Sequence, residues 1–239
     1  MMVLRWGIGA VLVSFLLSVV LIPSQYSQTR KPPARSQQGP GKEKRVYTND
    51  DWPFNRPRSN TPATTEEPSA HPSHLPPAPG DRVAPFVPTP MQVVEKMLDV
   101  AGVTAKDVVY DLGSGDGRIV IMAAEKFGAK SVGVELDRLL AEESQEKVQK
   151  LGLEKLVTII QGDMFQADIK PATVVAVYLL PDANDRLRPM LEKNLRPGTR
   201  IVAHDIRIPG WRWASTEAVQ VGGCTHFVYL YQVPEAFAE

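Results

Sequence analysis

The residues best suited to chemistry lie where an apolar run meets a glycine-rich loop. The run Val108–Leu112 carries an acidic residue, Asp111, next to its end. The loop then alternates glycine with polar residues: Gly113, Ser114, Gly115, Asp116 and Gly117. Glycine allows a tight turn and lets a ligand approach without a Cβ in the way, and a helix that begins after such a loop offers free N–H groups. The pattern therefore predicts a ligand site between a strand and a helix.

The glycine spacing indicates which ligand suits the loop. Dinucleotide-binding proteins use G-x-G-x-x-G, whereas this loop has G-x-G-x-G. The carboxylates of Asp111 and Asp116 would repel a pyrophosphate but attract the ammonium and the sulfonium of S-adenosylmethionine (SAM). The loop therefore favours SAM over other nucleotides, and a turn without a ligand is the weaker interpretation.

Two further acidic residues follow predicted strands and suit a nucleoside. Glu135 lies 24 residues after Asp111 (135 minus 111) at the end of the second strand, where an acidic residue suits ribose hydroxyls. Asp163 follows the third strand and is suited to the adenine amino group, while Met164 or Phe165 covers the ring. The structural alternatives are a helix cap for Glu135 and an ordinary turn acid for Asp163.

If SAM serves as a methyl donor, the group that accepts the methyl must approach the same edge of the sheet, where candidate residues follow the fourth and fifth predicted strands. Tyr178 is a candidate to line the acceptor slot with its hydroxyl. His204 and Asp205 close the fifth strand, where they are candidates to deprotonate or orient an acceptor. A half-buried tyrosine and a histidine satisfied by a backbone carbonyl are the structural alternatives. The sequence shows no metal-ligand spacing, so no metal is expected.

A sheet with its strands ending at one edge would bring these residues together. From about Asp81 onward, apolar runs alternate between strand-like and helix-like periods, as βαβ units require. Gly222-Gly223 then indicates a tight hairpin. We therefore predict an α/β fold: a Rossmann-like, mostly parallel seven-stranded sheet with a C-terminal antiparallel hairpin and helices on both faces. The predicted strands are 107–112, 131–136, 156–161, 173–179, 199–204, 216–221 and 225–233, and the predicted helices are 91–100, 118–127, 139–151 and 182–194.

Three segments are predicted along the chain: residues 1–22, 23–80 and 81–239. Trp6–Ile22 is an almost unbroken apolar run, which is either a retained membrane anchor or a cleaved signal peptide. Of the 21 prolines, 15 lie between Pro23 and Pro90, so residues 23–80 are predicted to be a disordered tether. The basic residues after the apolar run favour a membrane-anchored chain with a cytoplasmic catalytic domain, whereas signal cleavage would export it.

Composition argues against some function classes. Lys+Arg and Asp+Glu both number 27, so the formal net charge is zero. A neutral chain lacks the phosphate-neutralising charge that drives most nucleic-acid binding, and no nucleic-acid partner is expected. Cys224 is the only cysteine, which excludes an intrachain disulfide and a multi-cysteine metal site.

Over roughly Val87 to Val233, the chain resembles the class I SAM-dependent methyltransferases. Within them it is similar to bacterial relatives of the ATP synthase c-subunit lysine methyltransferase family. The stretches that carry this resemblance are Pro85–Pro90, Asp111–Ile121, Tyr178–Pro181 and Leu195–Arg200.

The resemblance implies an enzyme that uses SAM and methylates a protein lysine. By the same resemblance, methyltransferases acting on nucleic-acid amines carry Asn/Asp-Pro-Pro-aromatic where this chain has Tyr178–Pro181, which argues against a base acceptor. Two alternatives stay open: a methyltransferase for a small-molecule or lipid-phase acceptor, and a non-catalytic SAM-binding sensor.

We predict that Asp111→Ala and Glu135→Ala each abolish or sharply weaken SAM binding, because each removes a carboxylate expected to contact the ligand. Titration calorimetry with SAM on the Asp81–Glu239 fragment measures this. Unchanged affinity in both variants would contradict the assignment of the site.

Overall fold

The computed structural model describes residues 86–237. Its strands are β1 (Val108–Leu112), β2 (Lys130–Glu135), β3 (Val157–Gln161), β4 (Val174–Val177), β5 (Arg200–His204), β6 (Ser215–Val221) and β7 (Cys224–Gln232). Its α-helices are α1 (Met91–Val100), α2 (Arg118–Phe127), α3 (Arg138–Lys150) and α4 (Pro181–Asn194), and short 3₁₀ turns span Met164–Gln166 and Glu235–Phe237. The predicted anchor and the predicted tether lie outside the described residues.

All seven strands form one sheet in the order β3-β2-β1-β4-β5-β7-β6. The first five strands pair in parallel, and β7 is antiparallel to both β5 and β6. Val221 pairs with Cys224 across the two glycines, as the hairpin signal predicts. The predicted fold class is confirmed.

Apolar side chains pack on both faces of the central strands of the sheet. One core cluster joins the sheet to α1, α2 and α3, and a second joins it to α4 and the C-terminal 3₁₀ turn. The central strand β4 is buried along its whole length, and its sequence is correspondingly a continuous apolar run, as in sheets covered on both sides. Among residues 86–237, no helix combines the length and apolar character needed to cross a membrane.

Most element boundaries agree with the sequence prediction to within a residue or two. The largest shift is in β4, which the sequence predicts to reach Leu179 but which ends at Val177. Pro181 begins α4, and Leu180 before it is extended, as expected of a residue that precedes proline. Residues 178–180 thus connect the end of β4 to α4.

The amino end of the sheet is held by a polar network. Arg200 pairs with Asp107, and Thr173 Oγ1 donates to the same carboxylate at 2.8 Å. The Val108 N–H donates to Thr173 Oγ1 at 2.9 Å. These contacts join the starts of β1, β4 and β5 at the amino edge of the sheet. The loops that hold the candidate functional residues meet at the opposite, carboxyl edge.

Candidate functional site

A cavity of about 440 Å³ opens at the carboxyl edge of the sheet. This volume is in the range of pockets that bind small molecules and cofactors. The walls come from the segment before α1, the glycine loop after β1, and the residues that follow β2, β3 and β4. The carboxyl ends of parallel strands are the usual binding edge of such sheets.

Most of the predicted site residues line this cavity. They are Asp111, Gly113, Ser114, Asp116, Glu135, Asp163, Met164 and Tyr178. Gly115, Gly117, His204 and Asp205 are not among the lining residues. The two glycines shape the loop behind the wall, whereas His204 and Asp205 lie in a separate cluster described below.

Gly115 has a left-handed backbone conformation, which favours glycine. Its φ is +55°, and an added Cβ would collide with the ring of Phe86. Phe86 therefore lies directly over the glycine loop, in contact with the backbone that shapes the cavity. Sequence reasoning singled out the segment around Phe86 but not this contact, because nothing local in the sequence pairs positions 86 and 115.

Glu135 is fixed by two backbone donors. Its Oε2 accepts from the Gly115 N–H at 2.7 Å, and its Oε1 accepts from the Asp137 N–H at 2.8 Å. The carboxylate thus joins the glycine loop to the end of β2. Its remaining lone pairs suit the two neighbouring hydroxyls of a ribose.

Asp111 lies in an environment that disfavours its charge. Burial raises the pKa of Asp111 to about 8, and the carboxylates of Glu135 and Asp116 add to the effect. A cationic ligand would reverse this, because an opposite charge nearby favours the ionised form. Asp111 is therefore the group in this wall with the strongest electrostatic reason to bind an ammonium.

Asp116 differs from Asp111 because cations already surround it. Arg118 donates to both of its carboxylate oxygens, at 2.9 and 2.7 Å, and Lys147 Nζ lies 3.6 Å away. Burial alone would raise the pKa of Asp116, but the hydrogen bonds and charge of Arg118, with the charge of Lys147, hold it below its usual value. Sequence analysis assigned the same role to Asp111 and Asp116, whereas in the structure burial raises the pKa of Asp111 and neighbouring cations lower that of Asp116.

Arg118 connects the glycine loop to the segment that precedes α1. The same guanidinium that binds Asp116 donates from Nη1 to the Thr89 carbonyl at 2.7 Å. Arg118 and Thr89 are both buried and both line the cavity. The glycine loop and the segment that precedes α1 thus form one wall of the site.

Asp163, the fourth acidic residue of the site, both caps a turn and lines the cavity. Asp163 accepts from the Phe165 N–H at 2.9 Å and from Gln166 Nε2 at 3.0 Å. The Arg186 guanidinium lies over the Phe165 ring, 4.3 Å from its centroid. The turn-acid interpretation is therefore correct for the local backbone, while the residue also faces the cavity.

These groups fit SAM as a ligand. Asp111 suits the ammonium, Glu135 suits the ribose, and Met164, Leu136 and Leu140 give an apolar surface for the adenine. Among the described residues, the buried Ser114 Oγ has no hydrogen-bond partner in the protein, and it borders this cavity. An unpaired buried hydroxyl is costly, which a polar ligand would relieve.

Tyr178 lines the cavity and packs against a buried histidine. Its ring centroid lies 4.0 Å from that of His204, with an interplanar angle of 41°. Burial raises the pKa of the Tyr178 hydroxyl, and the charge of Asp205 adds to this. At neutral pH the hydroxyl is therefore protonated and able to donate a hydrogen bond into the cavity.

His204 lies behind Tyr178, and both of its ring nitrogens have partners. Nδ1 contacts Thr89 Oγ1 at 3.2 Å, and Nε2 contacts His226 Nδ1 at 3.0 Å. Burial lowers the pKa of His204 to about 4, although Asp205 opposes and His226 reinforces the shift. The alternative of a histidine whose hydrogen bonds are satisfied within the protein thus agrees with the structure, except that the partners of His204 are side chains and not a backbone carbonyl.

Asp205 and His226 complete this cluster. Asp205 Oδ2 lies 2.8 Å from His226 Nδ1, and Oδ1 accepts from the Phe227 N–H at 2.6 Å. Burial would raise the pKa of Asp205, but the Phe227 N–H and the two histidines hold it below its usual value. Sequence reasoning missed His226, because only the antiparallel pairing of β5 with β7 brings it beside His204.

Comparison with known proteins identifies related methyltransferases. A family model described as the ANTKMT methyltransferase domain matches residues 111–215. The chain is 45% identical over 152 residues to a protein-lysine N-methyltransferase of Saccharolobus islandicus, covering 63% of this chain and 94% of that protein. It is 30% identical over 145 residues to the ATP synthase c-subunit lysine N-methyltransferase of Mus musculus, covering 61% of this chain and 57% of that protein.

A solved structure is also similar. It is described as an RNA methyltransferase from Salinibacter ruber in complex with S-adenosyl-L-homocysteine. The sequence identity is 46%, the TM-score is 0.59, and the match covers 64% of this chain and 97% of that one.

We predict that the affinity for SAM rises with pH up to about 8. Asp111 is largely neutral below its pKa of about 8, so binding that requires the carboxylate must release a proton. Between pH 6 and 7 the dissociation constant should therefore fall by nearly tenfold. Calorimetry in buffers of constant ionic strength measures this slope.

Asp111→Asn keeps the shape of the side chain and removes its titration. The variant should bind SAM more weakly and lose most of the slope over this range. If Asp111→Asn keeps the same slope as the unmodified protein, another group causes it, and the role of Asp111 is wrong.

Proposed function

The chain belongs to the SAM-dependent methyltransferases of the protein-lysine family, and we propose that it transfers a methyl group from SAM to the ε-amine of a lysine in a protein. SAM is the methyl donor. When bound, it supplies a methyl group on a cationic sulfur that keeps the electron pair as the methyl leaves. The protein itself must bind the donor, orient the acceptor and exclude water.

The acidic wall of the cavity binds the donor in this function. Asp111 pairs with the ammonium, while Glu135, held by the Gly115 and Asp137 N–H groups, receives the ribose hydroxyls. Because Arg118 and Lys147 compensate Asp116, that residue supports the loop and leaves the cationic ligand to Asp111. Fixed donor geometry of this kind supplies orientation, which can lower a barrier by about 7–11 kcal/mol.

The acceptor half rests on one observation above the others: the residues around Tyr178 are mainly apolar. Tyr178 is followed by Leu179 and Leu180, and Phe86, Val87 and Ile206 line the same cavity. A lysine amine entering an apolar slot loses hydration, which disfavours its charged form and lowers its pKa from the model value near 10.4. The proton then leaves to solvent before the nitrogen accepts the methyl group. In this proposal the Tyr178 hydroxyl orients the amine.

RNA is the second candidate acceptor, because the similar structure from Salinibacter ruber is described as an RNA methyltransferase. The chain is formally neutral, with 27 basic and 27 acidic residues, and phosphate binding normally depends on an excess of basic residues. The slot around Tyr178 also lacks the amide or acid that the resemblance associates with base amines. A protein lysine is therefore the better-supported acceptor.

We further propose that Trp6–Ile22 anchors the chain in a membrane with the catalytic domain in the cytoplasm, where SAM is made. The apolar run and the basic residues after it support this. Protease treatment of intact spheroplasts should leave the domain undigested, while lysed spheroplasts should lose it. Digestion in intact spheroplasts, or a chain shortened by signal cleavage, would contradict the proposal.

The acceptor is identified by methyl transfer from radiolabelled SAM. We expect the full-length chain to label a protein in a membrane-containing lysate of the source cell, with the label resistant to nuclease and recovered as methyl-lysine after acid hydrolysis. Asp111→Asn should remove the label, and Asp99→Asn, which alters an exposed acid on α1, should retain it.

The other outcomes contradict a protein acceptor in distinct ways. Nuclease-sensitive label would identify RNA or DNA, and label in an organic extract would identify a lipid-phase or other small molecule. SAM binding without any transfer would identify a non-catalytic sensor.

A further inference from the structure

Three potential metal-ligating side chains converge at the carboxyl end of β5 and the start of β7. We refer to His204, Asp205 and His226 as the His-Asp-His cluster. His204 Nε2 lies 3.0 Å from His226 Nδ1, His226 Nδ1 lies 2.8 Å from Asp205 Oδ2, and His204 Nε2 lies 3.2 Å from the same oxygen. The three atoms thus form a nearly equilateral triangle.

Hydrogen bonds between neutral imidazoles and a carboxylate satisfy this triangle poorly. Asp205 Oδ2 can only accept, so both histidine nitrogens must donate to it if both contacts are to be favourable. The two N–H groups would then face each other across the 3.0 Å contact between His204 and His226. If only one nitrogen carries hydrogen, one edge of the triangle joins two lone pairs. A single cation at the centre would satisfy all three atoms at once.

The spacing suits a small divalent metal. Zinc binds imidazole nitrogen and carboxylate oxygen at about 2.0–2.2 Å, so two ligands at a tetrahedral angle lie about 3.3–3.6 Å apart. The three edges, 2.8 to 3.2 Å, are slightly shorter than this. A small outward movement of the side chains would admit the ion. Two imidazoles with one carboxylate suit zinc and similar transition metals, whereas calcium and magnesium prefer oxygen ligands alone.

Each ligand of the triangle is oriented by a further contact. Thr89 Oγ1 contacts the opposite nitrogen of His204 at 3.2 Å, which leaves Nε2 directed at the centre. The Phe227 N–H holds Oδ1 of Asp205 at 2.6 Å, which leaves Oδ2 directed at the histidines. Ligands of bound metals typically have such supporting partners.

The backbone at Asp205 is also unusual. Asp205 has a φ of +53°, the only positive φ at a non-glycine residue in the described part of the chain. Aspartate tolerates this region better than most residues, but the conformation is uncommon and clusters at functional sites. Here it turns the carboxylate back toward β7, where both Phe227 and His226 lie.

We propose that the His-Asp-His cluster binds one zinc ion through His204 Nε2, His226 Nδ1 and Asp205 Oδ2. The side chains of Asp205 and His226 are 29% and 20% exposed, whereas that of His204 is 1% exposed. The ion therefore enters from the side of Asp205 and His226, where water completes its coordination. The site does not depend on methyl transfer or on the identity of the acceptor.

The bound ion would cross-link two strands beside the donor cavity. It joins β5 to β7, and through His204 it also reaches Thr89 and the ring of Tyr178. The metal itself stays behind Tyr178, since neither histidine lines the cavity. We therefore expect it to position the acceptor wall without contacting the reacting atoms.

Zinc titration of the full-length chain, stripped with a chelator, tests the proposal. We expect one equivalent of Zn²⁺ per chain in competition with a chromophoric chelator. His226→Gln should lose this binding and keep its affinity for SAM, which verifies that the variant is folded. Thr89→Val removes only the support of His204, so it should weaken zinc binding by about 10- to 100-fold.

Two matched variants separate this cluster from other zinc ligands. His74→Gln alters a histidine of the proline-rich segment, and Cys224→Ser removes the single cysteine, two residues before His226. Both should retain the stoichiometric site. Absence of saturable binding in the unmodified chain, unchanged binding in His226→Gln, or loss of binding in Cys224→Ser would each overturn the proposal.

Discussion

Buried negative charge at the carboxyl end of β1 is the constraint on which the donor site depends. Three carboxylates, those of Asp111, Asp116 and Glu135, approach one another there with little water to screen them. The protein compensates two of them, Asp116 with Arg118 and Lys147, and Glu135 with backbone N–H groups. Burial, together with the charges of Glu135 and Asp116, leaves Asp111 with a raised pKa. The free protein is thus prepared for a cationic ligand at a defined point.

Most residues that line the candidate donor cavity could be predicted because their signals are local in sequence. A strand, a G-x-G-x-G loop and acids after successive strands each follow from a few adjacent residues, and parallel topology brings them to one edge. The unequal state of Asp111 and Asp116 could not be predicted in this way. It depends on Lys147, which lies 31 positions (147 minus 116) beyond Asp116 and reaches it only once α3 has packed on the sheet.

The cluster beside Tyr178 was harder to predict, because its members come from distant segments. His204 and Asp205 are recognisable as polar residues at a strand end, but their partners come from distant segments. His226 arrives through the antiparallel strand β7, and Thr89 arrives from the segment before α1. A spacing rule for metal ligands cannot detect residues that are 22 positions apart (226 minus 204) and joined only by strand pairing.

The segment before α1 contributes to the candidate site as well as to the packing of the domain. Thr89 offers its carbonyl to Arg118 and its hydroxyl to His204, and Phe86 lies against Gly115. A truncation that starts at Met91 would retain all of α1 and the core residues it contributes. It would nevertheless remove part of the cavity wall. Expression level and solubility would therefore be poor guides to a functional fragment.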